Sequence, residues 1–285
     1  MVRIGLALGS GGARGLAHIL VFEVFEELGI KPSIISGTSI GAIMGASFAS
    51  GTSSKEIKEV VNELIFSKNG KFWEVYKKSD LAKMFNFIDF GLKPGGLIKG
   101  EKFLKLLKEK IKVENFTDLK IPLRVIATDY WEHAEVILSK GNVHKAVVAS
   151  FSLPGLFPPV KCNDKLLIDG GMVNPLPYDV IQNECDLTVA VDVSASKDKI
   201  ENGFPPSYEV LFSSFQIMQN SIVREKLKQS KPDILIKTEI KNIRIHEFMK
   251  AQSIYEQAAK AKEELKRTLG EKLENYSKLK IRKIS

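Results

Sequence analysis

Apolar runs alternate with amphipathic stretches over the first fifty residues. The runs "VRIGLAL" and "PSIIS" are aliphatic and are followed by glycine-containing turns, which predicts two buried strands. The stretch "LAHILVFEVFEELG" has apolar residues at helical spacing and closes on Gly29, a typical helix C-cap. "IGAIMGASFAS" predicts a second helix whose small residues would pack closely on a sheet. This alternation is typical of an α/β fold with a parallel sheet.

The pattern continues to about residue 193. "IPLRVIATDY", "KLLIDGG" and "DLTVAVDVS" predict further strands, and we expect the last of them to be the last buried strand of the sheet. Beyond it, two helical stretches enclose the strand-like run "DILIKTEI". We therefore predict an α/β fold with a mostly parallel central sheet flanked by helices. Residues 1–200 would form the core, and residues 201–285 a mainly helical C-terminal extension that packs on it.

Residues 66–100 are less regular and carry many aromatic side chains before the glycine-rich "GLKPGGLIKG". These aromatics would either line an acyl site, form a lid or belong to the core. They are Phe66, Phe72, Trp73, Tyr76, Phe85, Phe87 and Phe90.

The stretch "GTSIG", from Gly37 to Gly41, matches the pattern G-x-S-x-G and lies between a predicted strand and a predicted helix. In that context the two glycines allow a sharp turn that lifts the Ser39 hydroxyl above the edge of the sheet. The N-terminus of the following helix would favour a developing negative charge there. Ser39 is therefore a candidate nucleophile, and the alternative is a purely structural turn.

The loop "GSGGARG", from Gly9 to Gly15, also lies between a strand and a helix. It lacks the third glycine of the dinucleotide fingerprint, because Arg14 stands there, and it lacks the G-K-[ST] of a P-loop. Such a loop can still offer backbone N–H groups to an anion or an oxyanion. A plain tight turn is the alternative.

A serine hydroxyl needs a base to become a good nucleophile. The Ser–acid–His order of α/β-hydrolases leaves only His246 as a late histidine, and its surroundings, "IRIHEFMK", favour a surface or packing role. Asp169 in "LLIDGGMVNPLP" is the better candidate, since a carboxylate at the end of a buried strand would have a raised pKa. Taken alone, Asp-Gly-Gly is also a common turn.

Composition and charge add limits. The 285 residues are 44% hydrophobic and 27% charged, as in ordinary soluble proteins. Residues 223–285 hold 17 basic and 9 acidic residues, so the whole net charge of +8 lies there. This region would suit an anionic membrane face, although lysine-rich helices are also common solvated surfaces. No nucleic-acid motif is present, so nucleic-acid binding is not expected.

No targeting or transmembrane segment is expected either. The start, "MVRIGLALGSGGARG", breaks into glycines too early for a secretory signal. The uncharged window at 32–54 is too rich in serine, threonine and glycine to insert well. Cys162 and Cys185 have neither disulfide-framework nor metal spacing, so we expect buried thiols in a cytoplasmic protein.

Three ordered blocks resemble the patatin-like phospholipase family, in particular its small bacterial members. They are "GSGGARGLAHI", "GTSIGAIMGA" and "FSLPGLFPPV…LLIDGGMVNPLP", and the similarity spans roughly residues 3–193. The resemblance implies a three-layer α/β/α fold and a Ser–Asp dyad without histidine, here Ser39 and Asp169. Gly37, Gly41, Gly170 and Gly171 are the supporting motif glycines.

The family's glycine loop maps onto residues 10–15, with Gly11, Gly12 and Ala13 as oxyanion-hole donors and Arg14 as the basic residue. The chain departs from the common pattern at Ser10, where the family has glycine. The resemblance implies a serine acyl hydrolase acting on phospholipids or lysophospholipids. No metal or cofactor is expected, because the sequence has no Ca²⁺-loop spacing and no Cys/His cluster. The basic C-terminal region would suit a peripheral position at the inner membrane face. A regulatory or scaffold protein on the same fold, and a Ser–His carboxylesterase using His246, remain the alternatives.

Overall fold

The computed structural model describes residues 2–66, 111–196, 204–205 and 207–282. Segment 66–100 therefore lies outside the described residues, apart from the backbone of its first residue. The strands are β1 Ile4–Leu8, β2 Ile34–Thr38, β3 Leu123–Asp129, β4 Ala134–Leu138, β5 Val160–Cys162, β6 Lys165–Asp169, β7 Leu187–Asp192, β8 Ala195–Ser196, β9 Ile234–Lys237 and β10 Ile240–Lys241. The α-helices are α1 His18–Glu27, α2 Ile40–Ala49, α3 Ser54–Phe66, α4 Val143–Ser150, α5 Ser207–Gln229 and α6 Ala251–Arg282.

Eight strands form one mixed sheet in the order β5-β6-β3-β2-β1-β7-β9, with β4 also paired to β3. β3, β2, β1, β7 and β9 run parallel, whereas β4 and β6 are antiparallel to β3. The predicted α/β class with helices around a mainly parallel sheet is confirmed. The parallel strands place the C-terminal ends of β1 and β2 side by side, because Leu8 of β1 lies opposite Gly37 of β2.

The prediction that "DLTVAVDVS" is the last buried strand of the sheet is wrong, because Ile234 and Ile236 of the later strand β9 are also buried. β9 pairs in parallel with β7, with Val189 opposite Ile234, and forms the sheet edge. The apolar residues of β9 were recognisable as a strand, but β7, with which β9 pairs, lies about forty residues earlier in the chain, before helix α5. The division of the chain at residue 200 stays a prediction.

The two faces of the sheet are covered differently. On one face, helices α1, α2 and α6 bury a large apolar core that includes the stacked rings of Phe22 and Phe48. On the other face, a smaller cluster joins Ala7 of β1 to Tyr178 and to Val223 of α5. Helix α5 therefore lies on the side of the sheet opposite α1, next to the turn that follows β6.

Helix α6 is fixed to α1 by ion pairs as well as apolar contacts. The Nζ of Lys262 lies 2.7 Å from carboxylate oxygens of both Glu23 and Glu27, and Lys266 Nζ lies 2.7 Å from Glu27. Part of the basic excess of the C-terminal region is thus used to hold this helix on the core. In the described part of the chain, no helix is both long and apolar enough to cross a membrane.

The two cysteines are free thiols, and both are half-buried rather than buried as predicted. Cys185 lies against Gly5 and its thiol contacts the hydroxyl of Thr188, 3.3 Å away. Cys162 ends the short edge strand β5.

Candidate active site

Ser39 lies at the tight turn between β2 and α2, as the strand–turn–helix pattern predicts, and we call this turn the elbow. Its backbone has φ 57° and ψ −120°, a strained conformation for a residue other than glycine. The N–H of Ser39 donates to the hydroxyl of Ser150 at the end of α4, at 2.8 Å. The surrounding structure therefore holds the turn in place, and Ser39 is 6% exposed.

The turn requires glycine because three backbone segments meet there. A Cβ on Gly41 would lie 2.2 Å from the carbonyl oxygen of Leu8, and one on Gly37 would lie 2.5 Å from the carbonyl oxygen of Gly41. Both distances are too short for any side chain. The glycines thus let the start of α2 rest directly against the end of β1.

Asp169, the last residue of β6, meets Ser39 across 130 residues of sequence. The Ser39 hydroxyl donates to Asp169 Oδ2 at 2.7 Å, and the N–H of Gly171 donates to Oδ1 at 2.7 Å. β6 pairs with β3 so that Asp169 lies opposite Ala127, which fixes the carboxylate beside the elbow. The structure brings the two predicted residues into direct contact, with Asp169 only 2% exposed.

The glycines after Asp169 are also closely enclosed. A Cβ on Gly170 would lie 2.2 Å from the carbonyl oxygen of Ile126. One on Gly171 would lie 2.4 Å from Gln219 Nε2 on α5 and 3.0 Å from Asp169 Oδ1. Gly170 therefore fits only as glycine, because the obstructing atom is backbone, whereas a side chain at Gly171 would have to displace the end of the Gln219 side chain.

Burial decides the acidity of this carboxyl group. It raises the pKa of Asp169 from 3.8 to about 6, and the hydrogen bonds from Ser39 and Gly171 oppose part of that rise. A carboxylate with a pKa near neutrality is a better proton acceptor than an exposed one. Asp169 can thus act as a base toward the Ser39 hydroxyl it already touches.

The glycine loop lies beside the elbow, but one predicted donor is already engaged. The N–H of Ala13 donates to the carbonyl oxygen of Ile245 at 2.7 Å. Ala13 therefore cannot serve as an oxyanion donor, because its single backbone proton is bound elsewhere. For Gly11 and Gly12, both in the cleft wall with Ser39, no acceptor among the described residues meets the N–H group.

The side chain of Arg14 folds back onto the glycine loop and stabilises it. Its Nε donates to the carbonyl oxygen of Gly11 at 2.9 Å, and the side chain is almost wholly buried. Burial lowers the pKa of Arg14 to about 10, with Asp192 opposing the shift, so the guanidinium stays charged at neutral pH. A positive charge next to two free N–H groups favours a negatively charged oxygen at this place.

None of the histidines contacts the Ser39–Asp169 pair in the described residues. His18 and His144 are buried and bond to the carbonyl oxygens of Gly9 and Ile111. His246 lines the same cleft as Ser39, which its sequence surroundings did not indicate. Ser150 and Gln219 were also missed, because their contacts span 111 and 209 residues and no local pattern marks them.

The cleft over Ser39 encloses about 600 Å³, including its open mouth. Its polar lining comprises Ser10, the glycine loop, Asp169, Gln216, Gln219 and His246. Its apolar lining comprises Phe151, Leu153, Leu156, Phe157, Phe212, Phe215, Ile245 and Phe248. The described residues contain no group of three His, Cys, Asp or Glu side chains placed to hold a metal ion.

Comparison with known proteins agrees with this fold. The family model described as patatin-like phospholipase matches residues 6–181. The uncharacterized NTE family protein Rv1063c of Mycobacterium tuberculosis is 31% identical over 196 residues, which is 68% of this chain and 50% of that protein. The neuropathy target esterase sws of Drosophila melanogaster is 33% identical over 68% of this chain and 13% of its own length.

Two further matches extend the comparison. The lysophospholipase NTE1 of Kluyveromyces lactis is 32% identical over 76% of this chain and 14% of its own length. The crystal structure of VipD from Legionella pneumophila shares the fold, with a TM-score of 0.50 at 16% identity, over 92% of this chain and 67% of that one. The chain spans about half the length of the mycobacterial relative and a much smaller part of the other two.

The fold is a mixed α/β sheet that brings a serine at a tight turn, a glycine loop and a buried aspartate together. With the family model matched over more than half of its length, the chain belongs to the patatin-like phospholipase family.

Proposed function

We propose that the protein is a serine acyl hydrolase that cleaves fatty-acyl esters of phospholipids or lysophospholipids through a Ser39–Asp169 dyad. The observation that carries the proposal is the 2.7 Å hydrogen bond from the Ser39 hydroxyl to a buried carboxylate of raised pKa. Relatives named as esterase and lysophospholipase support the reaction class. The apolar lining of the cleft suits a fatty-acyl chain.

The reaction would run in two halves. Asp169 accepts the hydroxyl proton as Ser39 Oγ attacks the ester carbonyl carbon, and the N–H groups of Gly11 and Gly12 hold the oxyanion. The tetrahedral intermediate collapses, the C–O bond breaks, and the leaving alcohol takes the proton from Asp169. Water then loses a proton to Asp169 and attacks the acyl-enzyme, and the same proton returns to Ser39 as the fatty acid leaves.

The direct test combines turnover with covalent labelling. Purified protein should hydrolyse a medium-chain fluorogenic ester and should be labelled by a fluorophosphonate at Ser39, as located by peptide mass spectrometry. A scaffold protein on the same fold would do neither. Under the Ser–His alternative, His246→Ala would abolish turnover while Asp169→Ala would not, whereas the proposed dyad requires turnover to survive His246→Ala.

The pH dependence of turnover follows from the pKa of Asp169. Only the ionised carboxylate can accept the serine proton, so kcat/KM should rise with pH and level off above the pKa of about 6. At pH 5 we expect about one tenth of the plateau value, as for a single essential base. Initial rates on a soluble ester from pH 4.5 to 8.5 measure this; a flat profile down to pH 4.5 would contradict the assignment.

We also propose that the basic C-terminal region makes peripheral contact with an anionic membrane face, in a cytoplasmic protein. Arg224 and Lys228 are largely exposed and share the single carboxylate of Glu225, which leaves one positive charge in excess there, beyond the lysines that hold α6. Attraction to anionic lipid of this kind weakens with salt. Binding to phosphatidylserine vesicles that resists high salt would speak against it.

A further inference from the structure

A second, smaller cleft opens from the one that contains Ser39. It encloses about 310 Å³ and shares Phe212, Gln216, Ile245 and His246 with the main cleft. Beyond this shared wall it is lined by Arg244, Glu209 and Ser213. The two clefts therefore adjoin at the four shared residues, and the charged side chain of Arg244 lies on the far side of them from Ser39.

The backbone that carries Arg244 and His246 is fixed to the glycine loop. Between them, the carbonyl oxygen of Ile245 accepts the N–H of Ala13, and a Cβ on Gly12 would lie 2.3 Å from the same oxygen. The N–H of Arg244 donates to Glu247 Oε2 at 2.7 Å, which closes the turn. Arg244 and His246 thus flank the residue that contacts the glycine loop beside Ser39.

The chemistry of these side chains suits an anion with several oxygen atoms. Arg244 Nη2 donates to Glu209 Oε2 at 2.9 Å, while its side chain remains 43% exposed. A guanidinium presents five N–H donors in a planar fork, so it can keep this partner and still bind phosphate oxygens. Burial lowers the pKa of His246, which keeps the ring neutral at pH 7 and able to donate one hydrogen bond.

The two adjoining clefts differ in their side chains. The cleft that contains Ser39 is lined by several aromatic rings, among them Phe151 and Phe157, whereas Arg244 lines only the smaller cleft. A glycerophospholipid has parts that suit both clefts: an acyl chain, an ester, a short glycerol bridge and a phosphate. A neutral glyceride lacks the last of these.

We propose that Arg244 and His246 form a subsite for the phosphate group of a glycerophospholipid headgroup. Both residues lie outside the range 6–181 that the family model matches, so the subsite belongs to the C-terminal part of this chain. The inference rests on the proposed acyl hydrolase function and adds to it the part of the substrate that is recognised. Arg244 is the main determinant, and His246 adds one hydrogen bond.

The test uses two substrates that differ only in the headgroup. We expect 1-palmitoyl lysophosphatidylcholine to have a higher kcat/KM than 1-palmitoylglycerol, both assayed below their aggregation concentrations. Arg244→Met should lower the ratio of the two kcat/KM values by about tenfold or more, chiefly through a higher KM for the lysophospholipid. His246→Asn should lower it less, and Arg244→Lys should restore part of it. Arg3→Met, an exposed arginine outside both clefts that also pairs with a carboxylate, that of Asp186, is the matched control and should leave the ratio unaltered.

Glycerophosphocholine gives a second readout that needs no lipid. It should inhibit neutral-ester hydrolysis competitively in the wild type and at least tenfold more weakly in Arg244→Met. A ratio and an inhibition constant that both stay within twofold of wild type would overturn the subsite. If Arg244→Met fails to fold, the same two quantities, the kcat/KM ratio and the inhibition constant of glycerophosphocholine, are compared between wild type and Arg244→Lys. If no ester is hydrolysed at all, the proposed function fails, and calorimetric binding of glycerophosphocholine to wild type and Arg244→Lys still tests the subsite.

Discussion

Ser39→Ala and Asp169→Asn should each reduce ester hydrolysis by about ten-thousand-fold or more, to nearly the same residual level. The two groups act as one unit, since the serine gives its proton to the carboxylate that it contacts at 2.7 Å. Removing either one therefore removes most of what both provide. Initial rates on a fluorogenic ester, with the double variant for comparison, measure the effect. A double variant that is much slower than both single variants would show that the residues act independently.

Matched controls separate catalysis from folding in this experiment. Ser47→Ala removes a hydroxyl from the same helix α2, where it donates to the carbonyl oxygen of Ile43 away from the cleft wall. Asp129→Asn removes a carboxylate at the end of the neighbouring strand β3, where its partner is Lys165. Both control variants should retain turnover within a few-fold of wild type. Full activity in Asp169→Asn would disprove the dyad directly.

Asp169→Asn should also change how the stability of the protein depends on pH. Because the folded-state pKa of Asp169 is about 6 and its ordinary value is 3.8, this group favours the folded state least at high pH. Its contribution to the free energy of unfolding falls as pH rises between these two values and stays low above them. Asp169→Asn should therefore melt at or above the wild-type temperature at pH 8, although it is inactive. Thermal unfolding by circular dichroism at pH 4 and pH 8 shows whether it does.

Gly41→Ala should destabilise the protein strongly, by about 3 kcal/mol in the free energy of unfolding. The added methyl group would meet the backbone carbonyl of Leu8 at 2.2 Å, and neither β1 nor the elbow can move away without breaking the sheet. The elbow would also be displaced, so activity should fall with stability. Urea denaturation gives the change in free energy.

Gly270→Ala is the matched control for this substitution. Gly270 also lies in a helix, α6, but nothing lies within 4 Å of a Cβ placed there. The same change should therefore stabilise the protein by about 0.5–1 kcal/mol, because alanine has the higher helix propensity. Equal effects at the two positions would mean that the close approach at Gly41 does not constrain the turn.

Local patterns were sufficient for most of the secondary structure. The aliphatic runs before Gly9 and Gly37 became β1 and β2, and the helix predicted to close on Gly29 ends at Glu27, two residues before that glycine, whose φ is a positive 65°. These predictions succeed because strand and helix formation depends on spacing within a few residues. The prediction of the last buried strand failed, since pairing of β9 with β7 depends on a contact between distant segments.

The sequence by itself determined the α/β class, the serine at a glycine-flanked turn and the aspartate that ends a buried strand. Each of these features is determined by residues that are close together in the sequence. Only the tertiary structure decided that Ser39 and Asp169 touch, that burial raises the pKa of the carboxyl, and that Ile245 already holds the N–H of Ala13. It also placed His246 and Arg244 beside the cleft. These features arise where segments far apart in the chain meet, and proton affinity and hydrogen-bond availability depend on what surrounds a group after folding.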